Sequence, residues 1–217
     1  MELNADKQLI RKVLSNKNRY NIPRYQREYS WEQDETSEYF NDILKQLKFD
    51  NGTVQSDDYF MGSILLTGDY NSSGKQLDVV DGQQRLTTIT ILLSALAEAF
   101  IKIKEPGLYD IVWEYIIGKD DNGDEYPILY NEVQYPYFQY YIQRKQREKI
   151  EPTCEEEDRI KDAFEYFEKC LEEENLRKMI SIIAPEKDIK LYSYKELLKG
   201  MRDQMSDGEL QSGVTAN

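Results

Sequence analysis

The sequence contains no histidine, a residue on which several large classes of enzyme depend. Its absence excludes Ser-His-Asp hydrolases, HNH-type nucleases and the zinc enzymes that hold their metal through imidazole. The chain has only two cysteines, Cys154 and Cys170, which are too few for a disulfide framework or a four-cysteine metal site. These counts favour ordinary intracellular thiols and a cytoplasmic location.

A long uninterrupted apolar run is also missing, and no secretory signal opens the chain. The most apolar stretch, residues 86–103, contains threonine, serine, glutamate and lysine side chains. This composition is typical of a buried helix rather than a membrane span. The sequence therefore predicts a soluble protein with no membrane segment.

Basic residues are scarce relative to acidic ones, with 28 Lys and Arg against 41 Asp and Glu and a net charge of −13. Such a charge opposes non-specific binding to nucleic acid, because the affinity of that binding comes from Lys and Arg side chains that neutralise phosphates and release counterions. The charge is uneven, because residues 1–30 contain seven basic and three acidic residues. Any contact with DNA is therefore expected in the N-terminal basic region, whereas residues 151–217 are typical of an acidic, solvated helical surface.

What is present indicates a folded α/β (α+β) protein, since 40% of the 217 residues are hydrophobic and seventeen are tyrosines. Periodicity predicts a small mixed sheet with helices. The predicted elements are a helix over 6–16, a helix capped by Ser30 and Gln33 and ending near 48, a hairpin of strands 59–67 and 76–80 joined by a turn at 68–74, and helices from 86, 155 and 194. The sequence thus predicts three regions: residues 1–103 form the main domain, 104–202 form a mainly helical extension packed on it, and 203–217 form a mobile tail.

The most informative junction is Asp81-Gly82-Gln83-Gln84-Arg85, where a strand gives way to an apolar helix. Backbone amides and the helix dipole favour an anion there. Gly82 allows close approach of a ligand, and Arg85 supplies a planar, permanently charged fork for phosphate. Gln83 and Gln84 can donate to phosphate or orient a water, and Asp81 can hold Mg²⁺ or accept a proton. The structural alternative is that Asp81 caps the helix and Gly82 makes the turn.

A second candidate segment covers residues 22–31, where Arg24 and Arg27 alternate with aromatic side chains. Arginine gives bidentate phosphate contacts and tyrosine or tryptophan gives a face for base stacking, so the pattern suits a nucleotide. A plainer alternative is a surface loop anchored by Tyr29 and Trp31 packing on the core. No GxxxxGK[ST] motif occurs, so a conventional P-loop is absent.

The segments IPRYQREYSW, YFMGSILL and LDVVDGQQRLTTITILLSAL, in this order, resemble the N-terminal domain of GmrSD-type modification-dependent restriction enzymes. This is a bacterial phage-defence family with a ParB/sulfiredoxin-like fold, and the resemblance covers roughly residues 5–103. It implies a domain that binds and hydrolyses nucleoside triphosphate and helps to sense modified DNA. An HNH nuclease half usually performs the cleavage.

By position, the family's signature falls on Asp81, Gly82, Gln83, Gln84 and Arg85, and its upstream motif falls on Pro23, Arg24, Gln26, Arg27 and Trp31. We expect catalytic roles for Asp81, Gln83, Gln84 and Arg85, and a nucleotide- or phosphate-binding role for Gly82, Arg85, Thr87, Thr88, Arg24, Gln26 and Arg27. Asp81 is the candidate ligand for a Mg²⁺ cofactor.

The chain departs from the family in having no histidine and hence no HNH nuclease. It is expected either to be one domain of a longer protein or to work with a separate nuclease, and not to cleave DNA alone. Two alternatives to a nucleotide hydrolase remain open. One is a non-catalytic module that recognises the DNA backbone or a modified base, and the other is a scaffold that docks a nuclease through its acidic helices.

Overall fold

A computed structural model describes residues 3–15, 19–57, 59–68, 76–133 and 135–215. The first half contains β1 (Leu3–Leu9), α1 (Ile10–Ser15), β2 (Arg19–Ile22), α2 (Gln33–Lys45), β3 (Leu47–Asp50), β4 (Thr53–Ser56), β5 (Phe60–Thr67), β6 (Gln76–Asp81) and α3 (Gln83–Lys102). The second half contains α4 (Pro106–Trp113), β7 (Ile117–Lys119), β8 (Glu125–Pro127), β9 (Leu129–Asn131), a π-helix (Phe138–Ile142), α5 (Glu155–Leu171), α6 (Glu173–Ile183), a 3₁₀ turn (Ile189–Leu191), α7 (Tyr194–Asp207) and β10 (Glu209–Thr215).

The centre of the fold is a mixed six-stranded sheet in the order β1-β10-β5-β6-β2-β9. Strands β2, β6 and β9 are parallel to one another, while β5 and β6 form the antiparallel hairpin that the sequence predicts. Two further hairpins, β3–β4 and β7–β8, lie outside this sheet. The predicted α+β class is confirmed, whereas the likeness to ParB remains a prediction. The predicted turn at 68–74 falls almost entirely outside the described residues.

Helix α3 is the core helix, because sixteen of its twenty residues are buried, including threonines and serine as well as aliphatic side chains. It is long and apolar enough to cross a membrane, but 83% of its most apolar window is buried inside the protein. Helices α4, α5 and α7 pack against it. The predicted buried helix is therefore confirmed, and its N-terminus is fixed where β6 ends.

The two ends of the described chain differ from the sequence prediction. Residues 6–9 belong to a strand rather than a helix, and the helix begins only at Ile10. Residues 203–215, predicted as a mobile tail, complete α7 and then form β10 between β1 and β5. Leu210, fully buried, anchors this strand in the core. Each strand is stabilised by a partner far away in sequence, which local periodicity does not reveal.

Two of the six strands, β9 and β10, come from beyond residue 103, and one continuous hydrophobic core joins side chains from both sides of that position. Residue 103 itself lies at the end of α3. The predicted division of the chain at 103 remains a prediction, but the sheet extends across it.

Candidate functional site

The junction between β6 and α3 requires a glycine. Gly82 is the N-cap of α3 and has a left-handed φ of 94°. A Cβ atom at this position would lie 2.6 Å from Cγ2 of Ile64 and 3.0 Å from the carbonyl oxygen of Ser63. Because Gly82 has no side chain, the first turn of α3 lacks a side-chain cap. The alternative in which Asp81 caps this helix is therefore wrong.

Arg85 lies half-buried in the first turn of α3 and folds back over strand β5. Its Nη1 donates to the carbonyl of Ser63, and a Cβ on Gly62 would lie only 2.4 Å from its Cζ. Gly62, with φ at 117°, thus leaves space for the guanidinium in the middle of a strand. Burial raises the pKa of Tyr59 to about 12, and the nearby charge of Arg85 opposes this rise.

Gln83 and Gln84 form hydrogen bonds to a loop that precedes them by some fifty residues in the sequence. We call residues 24–30 the arginine loop. Nε2 of Gln83 donates to the carbonyl of Arg27, and Nε2 of Gln84 donates to the carbonyl of Glu28 at 2.8 Å. The backbone amide of Ser30 donates to Oε1 of Gln84, also at 2.8 Å. The two segments singled out from the sequence are therefore direct hydrogen-bond partners.

A third glutamine fixes the arginine loop from its other side. Nε2 of Gln26 donates to the carbonyls of Val79 and Val80 at 3.2 and 3.0 Å, near the end of β6. The backbone amide of Arg24 donates to a carboxylate oxygen of Glu132 at 3.2 Å. The loop is thus joined to β6, to α3 and to the segment after β9.

Buried polar groups support the arginine loop from below. The hydroxyl of Tyr29 lies 3.0 Å from that of Thr88, which also donates to the carbonyl of Gln84. The amide of Tyr29 donates to a carboxylate oxygen of Glu156 on α5 at 2.9 Å. Burial raises the pKa of the Glu156 carboxyl above its usual range. Thr88 is fully buried and Thr87 nearly so, so both contribute to the core beneath the site.

The structure brings most of the predicted site residues together, in different environments. Asp81 is exposed at the end of β6, and the side chains of Arg24 and Arg27 are exposed on the arginine loop. Gln83 is 6% exposed, and its Oε1 has no hydrogen-bond partner in the described part of the chain. The members of the predicted set that reach solvent are therefore Asp81, Gly82, Arg85, Gln26 and the two loop arginines.

Comparison with known proteins gives this arrangement a family. The family model for the GmrSD restriction endonuclease N-terminal domain matches residues 10–202. The chain belongs to this family. No curated protein matches the chain. The family match extends well beyond residues 5–103, and it includes the helical region that follows α3.

In this member of the GmrSD N-terminal family, several residues around the site carried no recognisable signal in the sequence. Glu132 accepts from Nδ2 of Asn21 as well as from the loop, and these hydrogen bonds lower its pKa. Neither Glu132 nor Glu156 belongs to a motif. Gly62 could have been suspected, because a glycine inside a predicted strand often marks a close approach by another group.

Within the described ranges, no three His, Cys, Asp or Glu side chains converge as they would around a resident metal ion. A Mg²⁺ ion that arrives with a nucleotide needs only one or two carboxylates, because phosphate oxygens and water complete its shell. The exposed carboxylate of Asp81 fits that limited role, and its assignment as the ligand remains a prediction.

Gln84→Ala is expected to release the arginine loop, because it removes the hydrogen bonds to Glu28 and Ser30. Loss of these bonds should lower the free energy of unfolding by about 1–3 kcal/mol. Trypsin should then cleave after Arg24 or Arg27 faster than in the wild type. Gln55→Ala on the exposed side of β4 is the matched control. Unchanged cleavage and melting of the Gln84 variant would contradict the role assigned to this amide.

Proposed function

We propose that this protein is the nucleotide-binding sensor domain of a bacterial restriction system that acts in phage defence, and that it binds a nucleoside triphosphate at the start of α3. The observation that carries the proposal is the glycine-capped N-terminus of a twenty-residue helix beside a half-buried arginine. Membership of the GmrSD N-terminal family supports the restriction context. The two free cysteines agree with a cytoplasmic location.

The first turn of α3 is suited to phosphate on three grounds. Its amides are not capped by a side chain, it contains no acidic residue, and a helix N-terminus carries the positive end of the helix dipole. Arg85 adds a rigid fork of donors next to these amides. Arg24 and Arg27 add positive charge from a loop that is hydrogen-bonded to the same turn. A bound triphosphate would then have Arg85 on one side and the positive charges of Arg24 and Arg27 on the other.

Hydrolysis requires a group that orients the attacking water, and Gln83 offers one. Its Nε2 is engaged with the arginine loop, but Oε1 lacks a donor, and a buried acceptor without a partner is costly. A water bound there would satisfy the oxygen, in the role that a glutamine plays in some nucleotide hydrolases. Mg²⁺ held by the phosphates and Asp81 would neutralise the charge that develops on the transferred group.

A second function, binding without hydrolysis, is favoured by one specific observation. The amides of Gln83 and Gln84 are committed to the arginine loop, so both glutamines act as positioning residues for Arg24 and Arg27. In that case the site would recognise a nucleotide or a DNA phosphate without cleaving it. Cutting of DNA would in either case belong to an HNH nuclease domain or subunit, because this chain has no histidine.

Contact with DNA would use the exposed arginines rather than the whole N-terminal basic region. Lys7 and Arg11 are paired with Glu209 and Asp207 at the other end of the described chain, which reduces their contribution. Arg24 and Arg27 expose their side chains beside the start of α3. Nucleotide and DNA backbone would therefore meet the same face of the protein.

Arg85→Ala is expected to weaken nucleoside triphosphate binding by about 10- to 150-fold, the value of one or two charge-assisted hydrogen bonds to phosphate. Phosphate release from ATP or GTP with Mg²⁺ should fall at least as much. Arg85→Lys keeps the positive charge but loses the guanidinium fork, so its nucleotide affinity and its rate of phosphate release should lie between those of wild type and Arg85→Ala. Arg159→Ala on α5, a surface arginine paired with Glu155, is the matched control.

The outcomes separate the alternatives. Equal turnover by wild type and Arg85→Ala would remove Arg85 from the mechanism. Nucleotide binding without phosphate release would support the non-catalytic module. A specific ligand at a hundredfold excess over its dissociation constant should stabilise the fold by about 2.7 kcal/mol. If neither nucleotide nor DNA shifts the melting temperature, the scaffold alternative is favoured.

A further inference from the structure

A cavity lies away from the start of α3 and differs from it in chemical character. It is a cleft of about 270 Å³, just below the range of roughly 300–1,000 Å³ that is usual for small-molecule sites. Three tyrosines line it, Tyr126, Tyr130 and Tyr140, together with Gln143 and Arg144. We call it the aromatic cleft.

The aromatic cleft and the start of α3 lie at opposite ends of the same parallel strands. A smaller cavity that shares Tyr126 and Tyr130 with the cleft is also lined by Arg19 and Gln76, the first residues of β2 and β6. Strand β6 then runs six residues to Asp81, about 16 Å at the usual rise per residue. A ligand in the cleft is therefore separate from a phosphate bound at α3.

A π-helix builds one wall of the cleft. In this segment, Phe138–Ile142, the amide of Gln143 donates to the carbonyl of Phe138 at 3.0 Å, a hydrogen bond that spans five residues instead of four. The wide turn carries Tyr140 and brings Gln143 to the cleft. Helical segments of this type are rare and occur frequently at functional sites.

Gln143 supplies an acceptor with no donor. The residue is 2% exposed, and its Nε2 donates to the carbonyl of Leu129 at 2.8 Å. This hydrogen bond orients the amide, and Oε1 is left without a partner among the residues that the structure describes. A ligand N–H would satisfy the oxygen once the side chains of the wall adjust to it. Buried acceptors of this kind call for a partner.

Two arginines supply positive charge here, Arg144 on the wall of the aromatic cleft and Arg19 in the smaller cavity beside it. The guanidinium of Arg144 lies 5.6 Å from the ring centre of Tyr140, and that of Arg19 lies 3.9 Å from the ring centre of Tyr126. Over the described ranges, neither arginine has a carboxylate partner. The other charged side chains of the cleft are neutralised, because Lys145 pairs with Asp110 and Glu125 pairs with Lys119. Both arginines are thus available for an anion, although the whole chain carries −13.

The geometry points to a nucleotide unit as the ligand of the aromatic cleft. A planar base fits against the partly exposed ring of Tyr140, a base N–H provides the donor that Oε1 of Gln143 lacks, and the attached phosphate meets Arg144 or, in the adjoining cavity, Arg19. The same chemistry occurs in an unpaired nucleotide of single-stranded DNA and in a free mononucleotide. A base inside a duplex is excluded, because both of its faces are already stacked.

The test is binding of a fluorescent single-stranded oligothymidylate. Its competitors are the unlabelled oligonucleotide, the same sequence as a duplex, and thymidine monophosphate; the duplex should not compete. Tyr140→Ala should weaken binding by about 5- to 150-fold, the range for loss of one stacked base. Tyr140→Phe, which keeps the ring, should bind like wild type. Arg144→Ala on the exposed rim should weaken binding and reduce its salt dependence. Lys178→Ala, an exposed lysine on α6, is the control for loss of one charge.

Thermal melting of each variant checks that it is folded, and the exposed Arg144 variant tests the cleft if Tyr140→Ala proves unstable. Competition by the oligonucleotide but not by the monophosphate would identify single-stranded DNA as the source, and equal competition would identify the free nucleotide. Arg144→Ala should leave phosphate release from nucleoside triphosphate, and its dependence on Arg85, unchanged, so that failure at one site is distinct from failure at the other. No binding by wild type, or equal binding by wild type, Tyr140→Ala and Arg144→Ala, would overturn the assignment.

Discussion

Gly82→Ala is expected to lower the free energy of unfolding by about 2–6 kcal/mol and to abolish nucleotide binding. A non-glycine residue in this left-handed conformation costs about 1–3 kcal/mol. The added Cβ also meets Ile64 and the carbonyl of Ser63 on β5, and overpacking of this kind costs about a further 1–3 kcal/mol. Relief of the contact would have to move β5 away from the start of α3, and with it the carbonyl that binds Arg85. Urea unfolding measures the loss.

Two other glycines separate the causes of this effect. Gly123 has φ at 85° with open space around its Cβ position, so Gly123→Ala should show the cost of backbone strain alone. Gly107 in α4 has no strained φ and no close neighbour, so Gly107→Ala should be neutral or slightly stabilising. If all three variants unfold at the same urea concentration, the contact between Gly82 and β5 is unimportant.

Arg147→Ala is expected to cost about 2–4 kcal/mol, because this arginine joins three elements of the core. Its guanidinium donates to Glu98 and Ser94 on α3 and to the carbonyl of Tyr141 in the π-helix. It also lies 4.6 Å from the ring centre of Phe164 on α5. Removal of one partner of a largely buried ion pair costs about 3–5 kcal/mol, and partial exposure of both groups reduces this.

Calorimetric melting should show the loss of stability in Arg147→Ala. The amide hydrogens of the π-helix should also exchange faster than in the wild type. Arg147→Lys should recover only part of the stability, because a lysine cannot keep all the donor directions of the guanidinium. Arg144→Ala, three residues away on an exposed rim, should melt close to wild type. A melting temperature for Arg147→Ala equal to that of Arg144→Ala would contradict the central role of this side chain.

Elements with a local pattern could be predicted from the sequence. The hairpin of β5 and β6 alternates apolar residues, α5 has a regular apolar stripe, and α3 is mainly apolar along most of its length. The sequence predicts the capping box of α2 at Ser30 and Gln33, but the structure has it at Glu32 and Glu35. The start of a helix depends on local geometry that several polar residues can supply, so such a displacement of two residues is understandable.

The candidate site could be predicted in its parts but not in its connections. Both the arginine loop and the junction at Gly82 stood out by residue type. The sequence did not reveal that Gln83 and Gln84 bind the backbone of Arg27 and Glu28, 56 residues away along the chain. An amide that contacts a carbonyl imposes no periodicity, so nothing in one sequence marks the pair. The aromatic cleft and the network of Arg147 escaped prediction for the same reason.

The position of β10 between β1 and β5 constrains how the protein is made. On a ribosome, β1 emerges first, yet in the described sheet its hydrogen-bonded neighbour is β10, which is synthesised last of the six strands. Pairs this distant in sequence form slowly, because a long loop must close before any contact is gained. The nascent chain can therefore form the hairpin of β5 and β6 and the helices early. Strand β1, in contrast, stays unpaired until translation passes Thr215.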